Sequence, residues 1–199
     1  TALGWTPGVQ FVCLAFQNVL AAHIDGLTIH HWSGIPIAED KRQPKPKQGE
    51  DIGALFLRCQ NLRWILIDEI SMVSAELLAE MERRVSQAAR PTGTYKRRPD
   101  KSYRPFGGYN VLLFGDWWQL PPVMQTAIFH NPFKPHEGNS NTIIDMFWRP
   151  TEDNKDAINC MVELTEAKRC KDKWLLAFIQ ECRKGAQQDE MSKRGSKKT

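Results

Sequence analysis

LRWILIDEISM, residues 62–72, is the stretch that fixes the fold. Leu62 to Ile67 is an almost unbroken apolar run, as expected of a strand buried on both faces of a parallel sheet. The run stops at two adjacent carboxylates, Asp68 and Glu69. Ser74 then stands where a helix wants an N-cap. Leu77, Leu78, Met81 and Val85 follow at helical spacing on one face. Glu80 and Arg84 make an i,i+4 pair on that helix. Strand, acidic tip and helix form one unit.

Working outward, the same pattern returns twice. Phe11 to Phe16 (FVCLAF) and Tyr109 to Phe114 (YNVLLF) read as two more buried strands. Asn18 to Ile24 reads as a helix ending near Asp25-Gly26. Ile35 to Asp51 is rich in Pro, Lys, Gln and Glu and reads as a loop. Arg90 to Gly108 reads as a basic loop. From Thr126 to about Thr142 the chain is loop-like, and Asn159 to Thr165 is a candidate fourth strand. Asp172 is a candidate N-cap for a helix with the apolar stripe Trp174, Leu175, Phe178, Ile179 and Cys182. Gly185 sits where a helix C-terminus favours glycine. Strands alternating with helices predict an α/β fold, a parallel sheet with flanking helices. The expected organisation is one domain over residues 1–185 and a basic, disordered tail over 186–199.

Composition narrows the function. The 199 residues carry a net charge of +4, with 41% hydrophobic and 25% charged residues, which reads as globular. No apolar run approaches the ~18–20 residues that span a bilayer, so no membrane partner is expected. The opening TALGWTPGVQ has no Lys or Arg and no initial Met, unlike a secretory signal and compatible with a fragment. Five cysteines with no CxxC spacing point to reduced thiols inside a cell. Positive charge gathers at Lys41–Lys47, Arg90–Arg104 and Arg183–Lys198. Each run suits a phosphate backbone or simply a solvated surface.

Two motifs carry chemistry. The acidic tip of WILIDEISM, residues 64–72, lies where open α/β sheets bind ligands, at a strand's C-terminal end. An Asp there suits a magnesium ion, and a neighbouring Glu suits activation of a water. FGDWWQLPPV, residues 114–123, repeats the arrangement: a strand ends in Gly115-Asp116, Gln119 follows, and Pro121-Pro122 stiffen the exit. A neutral amide such as Gln119 can contact a γ-phosphate. Trp117-Trp118 could stack on a base or pack in the core.

Gly-Asp-x-x-Gln-Leu-Pro-Pro-Val resembles motif III of the petite-integration-frequency (PIF)-type DNA helicases of superfamily one, group B. Asp68-Glu69 is then similar to their Walker B motif. VLAAHIDGLTIHHWSGIP, residues 19–36, is similar to their motif Ia, and LTEAKRCKDKWLLAFIQECRKG, residues 164–185, to their motif IV. The resemblance covers about Val12 to Gly185. It implies a RecA-like P-loop NTPase fold, incomplete here, that uses ATP and Mg2+ on single-stranded or forked DNA. Unwinding would run 5′ to 3′, in repair, recombination and telomere maintenance, in the nucleus or mitochondrion. Carried over residue by residue, Asp68 positions Mg2+, Glu69 activates water, and Gln119 and Arg169 sense the γ-phosphate. Asp116 supports the site. Thr28 and His30 contact DNA, with His31 and Trp32 beside them.

The chain departs from that family in places. The phosphate loop G-x-x-x-x-G-K-[ST] does not occur, and no Lys precedes Lys41. Gln17-Asn18 replace the family's Thr-Gly in motif Ia. The implied second RecA-like domain lies beyond these residues. A piece of a longer ATP-driven helicase is therefore expected, inactive alone. The alternative is a non-catalytic module that binds single-stranded nucleic acid.

Overall fold

The structure is a computed structural model. It describes residues 4–37, 50–89, 96–134, 138–149, 154–168 and 170–183. Two compact units divide at Ile158/Asn159. In the first, four parallel strands form one sheet: β1 (Phe11–Ala15), β2 (Leu27–Thr28), β3 (Trp64–Ile67) and β4 (Asn110–Leu113), in the order β2-β1-β3-β4. The helices are α1 (Asn18–His23), α2 (Ile29–Ser33), α3 (Glu50–Cys59), α4 (Ala75–Ala89) and α5 (Ser140–Trp148). In the second unit, the described residues hold one helix, α6 (Lys173–Arg183). No helix is long and apolar enough to cross a membrane among the described residues.

Register explains the core. Val12, Ile65 and Val111 lie side by side across β1, β3 and β4, and so do Leu14, Ile67 and Leu113. Leu14, Ile65 and Ile67 are fully buried, each burial contributing about 1.5–3 kcal/mol. They join Leu55 of α3, Leu78, Met81 and Val85 of α4, and Ile143 and Ile144 of α5 in one continuous core. The alternate row, Cys13, Leu66 and Leu112, faces the other way and is half-buried to exposed.

Most predicted elements appear, slightly trimmed. Ser74 caps α4 through its Oγ, which accepts from the Leu77 N–H at 3.1 Å, and Leu77, Leu78, Met81 and Val85 are all buried. Four expectations change. The predicted loop at Ile35–Asp51 gives way to α3 from Glu50 onward; residues 38–49 lie outside the described residues. The loop-like stretch ending near Thr142 instead enters α5 at Ser140. β4 is an edge strand, with Leu112 42% exposed, and not the buried strand its apolar sequence suggests. Residues 159–165 form no strand: Met161, Val162 and Leu164 are 76–89% exposed, and no described strand pairs with them. In α6, Asp172 is the predicted N-cap, its Oδ1 accepting from the Trp174 and Leu175 N–H groups at 2.9 and 3.2 Å. Gly185 lies outside the described residues.

Candidate functional site

Parallel neighbours end at the same edge of a sheet, so β3 and β4 deliver Asp68-Glu69 and Asp116 together. Backbone contacts weld the two tips: the Phe114 N–H donates to Ile67 O at 2.8 Å and the Ile70 N–H to Phe114 O at 2.9 Å. The Asp68 N–H continues the ladder to Leu14 O of β1 at 2.8 Å. Gly115 fits because it lacks a side chain. A Cβ there would stand 2.9 Å from both the Ile70 N and its Cγ2.

Both carboxylates are half-buried. Asp68 Oδ1 accepts from the Glu69 N–H at 3.0 Å, which orients Asp68 against the turn. Glu69 adopts a left-handed backbone (φ 51, ψ 49), unusual for a residue with a Cβ. Its Oε2 is shielded from solvent. Asp116 opens a tight turn, its Oδ1 accepting from the Trp118 N–H and its carbonyl from the Gln119 N–H, both at 3.0 Å. Gln119 is exposed on that turn. No three His, Cys, Asp or Glu side chains form a closed metal cage among the described residues. Asp68 by itself is the donor type that Mg2+ takes, a hard cation often held by one or two carboxylates together with phosphates and water.

The second cluster stands on α2. Thr28 is its N-cap, with Oγ1 accepting from the His31 N–H at 3.2 Å. The hydroxyl hydrogen is left to donate elsewhere. His30 is half-buried 6.0 Å from the Phe16 ring, and burial pushes its pKa down from the ordinary value. Near neutral pH it is an uncharged imidazole, a hydrogen-bonding group and not a cation. His31 is exposed. Trp32 is only 3% exposed and belongs to the core, which removes it from any stacking role.

Two arginines that the motifs did not mark complete this cluster. Arg58 of α3 donates to His31 O and Trp32 O at 3.1 and 2.6 Å. Arg84 of α4 donates to Ser33 O and Gly34 O at 3.3 and 2.8 Å. Glu80 holds Arg84 from behind at 2.9 Å. The Ile35 N–H takes His30 O at 2.9 Å. The C-terminal carbonyls of α2, which a helix end leaves unsatisfied, are therefore all engaged.

Other expected contacts are placed less favourably or lie elsewhere. Trp117 sits among Phe129, Phe147 and Trp148, with ring centroids 5.6–6.0 Å away. Of the sequence's two readings of Trp117, packing is the one this geometry favours; Trp118 is the exposed ring, at 71%. Residues 96–104 fold back on themselves, with the Arg104 N–H on Lys96 O at 3.0 Å. There Lys96 is buried, its Nζ donating to Ala89 O at 2.5 Å, and Arg98 is tied to Asp156. Arg97 stacks on Tyr103 at 4.2 Å. Arg169, the basic run Lys41–Lys47 and residues 184–198 of the last basic run lie outside the described residues.

Comparison with known proteins identifies the family of the chain. A model of the PIF1-like helicase family matches residues 8–142. The mouse ATP-dependent DNA helicase PIF1 is 31% identical over 96% of this chain and 25% of its own length. The Pif1 helicase of Psychrobacter sp. is 37% identical over 58% of this chain and 16% of its own. In fold, a Bacteroides Pif1 helicase crystallised with ADP-AlF3 and ssDNA superposes with a TM-score of 0.55 at 24% identity. That match covers 88% of this chain and 36% of the Bacteroides chain. The chain thus spans about a quarter of the mouse relative's length.

Proposed function

The chain belongs to the PIF1-like helicase family, and from that premise we propose that it forms part of the first RecA-like domain of an ATP-dependent DNA helicase. The observation carrying this reading is the convergence of Asp68-Glu69 and Asp116 at one sheet edge, joined through Ile70 and Phe114. Asp68 would hold the Mg2+ that accompanies ATP, which supplies charge neutralisation of the phosphates. Glu69, held by its turn, would orient the attacking water and take its proton. Gln119 would contact the γ-phosphate from its exposed turn. Asp116 would fix that turn through its two backbone hydrogen bonds. Arg169 would complete the phosphate contacts.

Single-stranded or forked DNA is the proposed partner. Thr28, with its free hydroxyl hydrogen, and neutral His30 would donate hydrogen bonds to the strand's phosphates. His31 would lie beside them, and Trp118 is better exposed than Trp117 to stack on a base. Unwinding 5′ to 3′, with work in repair, recombination and telomere maintenance in the nucleus or mitochondrion, completes the reading.

The test is a chimera in which these residues replace the matching quarter of a full-length relative. DNA-stimulated ATP hydrolysis is expected in the parent and about a 100-fold loss or more in Glu69→Gln. A parent that binds DNA but hydrolyses no ATP would instead indicate a non-catalytic binding module. Equal turnover by Glu69→Gln would remove Glu69 from its role.

A further inference from the structure

We propose that Arg84, seconded by Arg58, is a positioning residue for DNA binding: it holds α2 so that Thr28 and His30 present their donors to one strand. This inference rests on the DNA reading of α2 given above.

The argument begins with the length of α2. Five residues cannot hold a helix by their own hydrogen bonds, because nucleation costs more than one turn returns. Its N-terminal end carries the Thr28 cap, and Ile29 and Trp32 pack into the core. Its other end relies on two guanidiniums reaching back from elements far along the chain, 26–27 residues away for Arg58 and 50–51 for Arg84. Arg84 is the stronger of the pair. Its side chain is 12% exposed, and Glu80 fixes its Nε while its Nη1 spans two carbonyls. The planar fork suits this bridging, which a lysine ammonium reproduces only in part.

Arg84 is turned to backbone oxygens of the chain itself, and so is the Nη1 of the more exposed Arg58. Their charge also sits at the helix end where carbonyl dipoles favour a cation. Loss of Arg84 would free Ser33 O and Gly34 O, loosen α2 and let Thr28 drift from the geometry a phosphate requires. Because α4 begins six residues after Glu69, at Ala75, the same helix carries both the grip on α2 and the end nearest the acidic strand tip.

The experiment measures binding of a fluorescent oligothymidine to the 199-residue chain by anisotropy, alongside thermal melting. The variants are Arg84→Gln, Arg84→Lys, Thr28→Ala and the double variant Arg84→Gln with Thr28→Ala. Arg84→Gln is expected to weaken binding about tenfold, with partial recovery in Arg84→Lys. The double variant should bind about as weakly as the weaker single variant, because both act through one contact. Multiplicative losses, or no loss in Arg84→Gln, would overturn the positioning role. Full-strength binding by Thr28→Ala and by a further variant, His30→Ala, measured in the same way, would instead overturn the DNA reading of α2, and this inference with it. Should Arg84→Gln not fold, Arg58→Gln, at an exposed position, takes its place in the same cycle: non-multiplicative losses support the positioning role, and multiplicative losses or none overturn it.

Discussion

Glu69 keeps a backbone conformation (φ 51) that costs a residue with a Cβ about 1–2 kcal/mol. Glycine adopts it freely. Glu69→Gly should therefore be more stable than Glu69→Ala by about 1 kcal/mol in urea denaturation, although neither carries the carboxylate that catalysis needs. Gly26 makes the opposite case. A Cβ there would stand 2.3 Å from Cys13 O, and a backbone atom in β1 cannot move aside. Gly26→Ala should lower stability by about 1–3 kcal/mol, read as a lower urea midpoint. At His30, burial lowers the folded-state pKa below the ordinary 6.5. Its contribution is thus complete above that value and is lost as pH falls toward the folded pKa. The thermal midpoint should drop as pH is lowered from 7 through 6.5, and His30→Gln should flatten that part of the profile.

At the scale of elements, distant hydrogen bonds decide how helices meet strands. The buried Tyr109 hydroxyl, just before β4, donates to Cys59 O at the end of α3 at 2.7 Å. Tyr109→Phe should cost about 1–2 kcal/mol of unfolding free energy while leaving affinity for oligothymidine unchanged. This scale also separates what the sequence reveals from what it hides. β1, β3 and β4 were legible because parallel strands are written as short apolar runs, and the acidic tips because each run ends abruptly. α2 was hidden because five residues are too few to display a helical period: only Ile29 and Trp32, three apart, turn to the core, and Arg58 and Arg84 add support from far along the chain. Of these, Arg84 showed only its local partner Glu80, since a guanidinium reaching a carbonyl 50 residues away leaves no spacing to read. The apolar stretch at 159–165 misled for the converse reason, because β-propensity produces a strand only beside another strand.

For the molecule as a whole, charge is the variable to examine. With a net charge of +4, binding of oligothymidine should weaken steeply with salt, and the slope of log affinity against log salt counts the phosphates neutralised. The edge position of β4 has a different consequence. Its outer side offers backbone donors and acceptors that no described strand takes, beside the exposed Leu112 and Phe114. Such a border invites a second molecule to add its own strand, so concentrated solutions of this chain should grow oligomers visible by light scattering. Leu112→Lys would discourage that stacking and leave the buried row beneath it undisturbed.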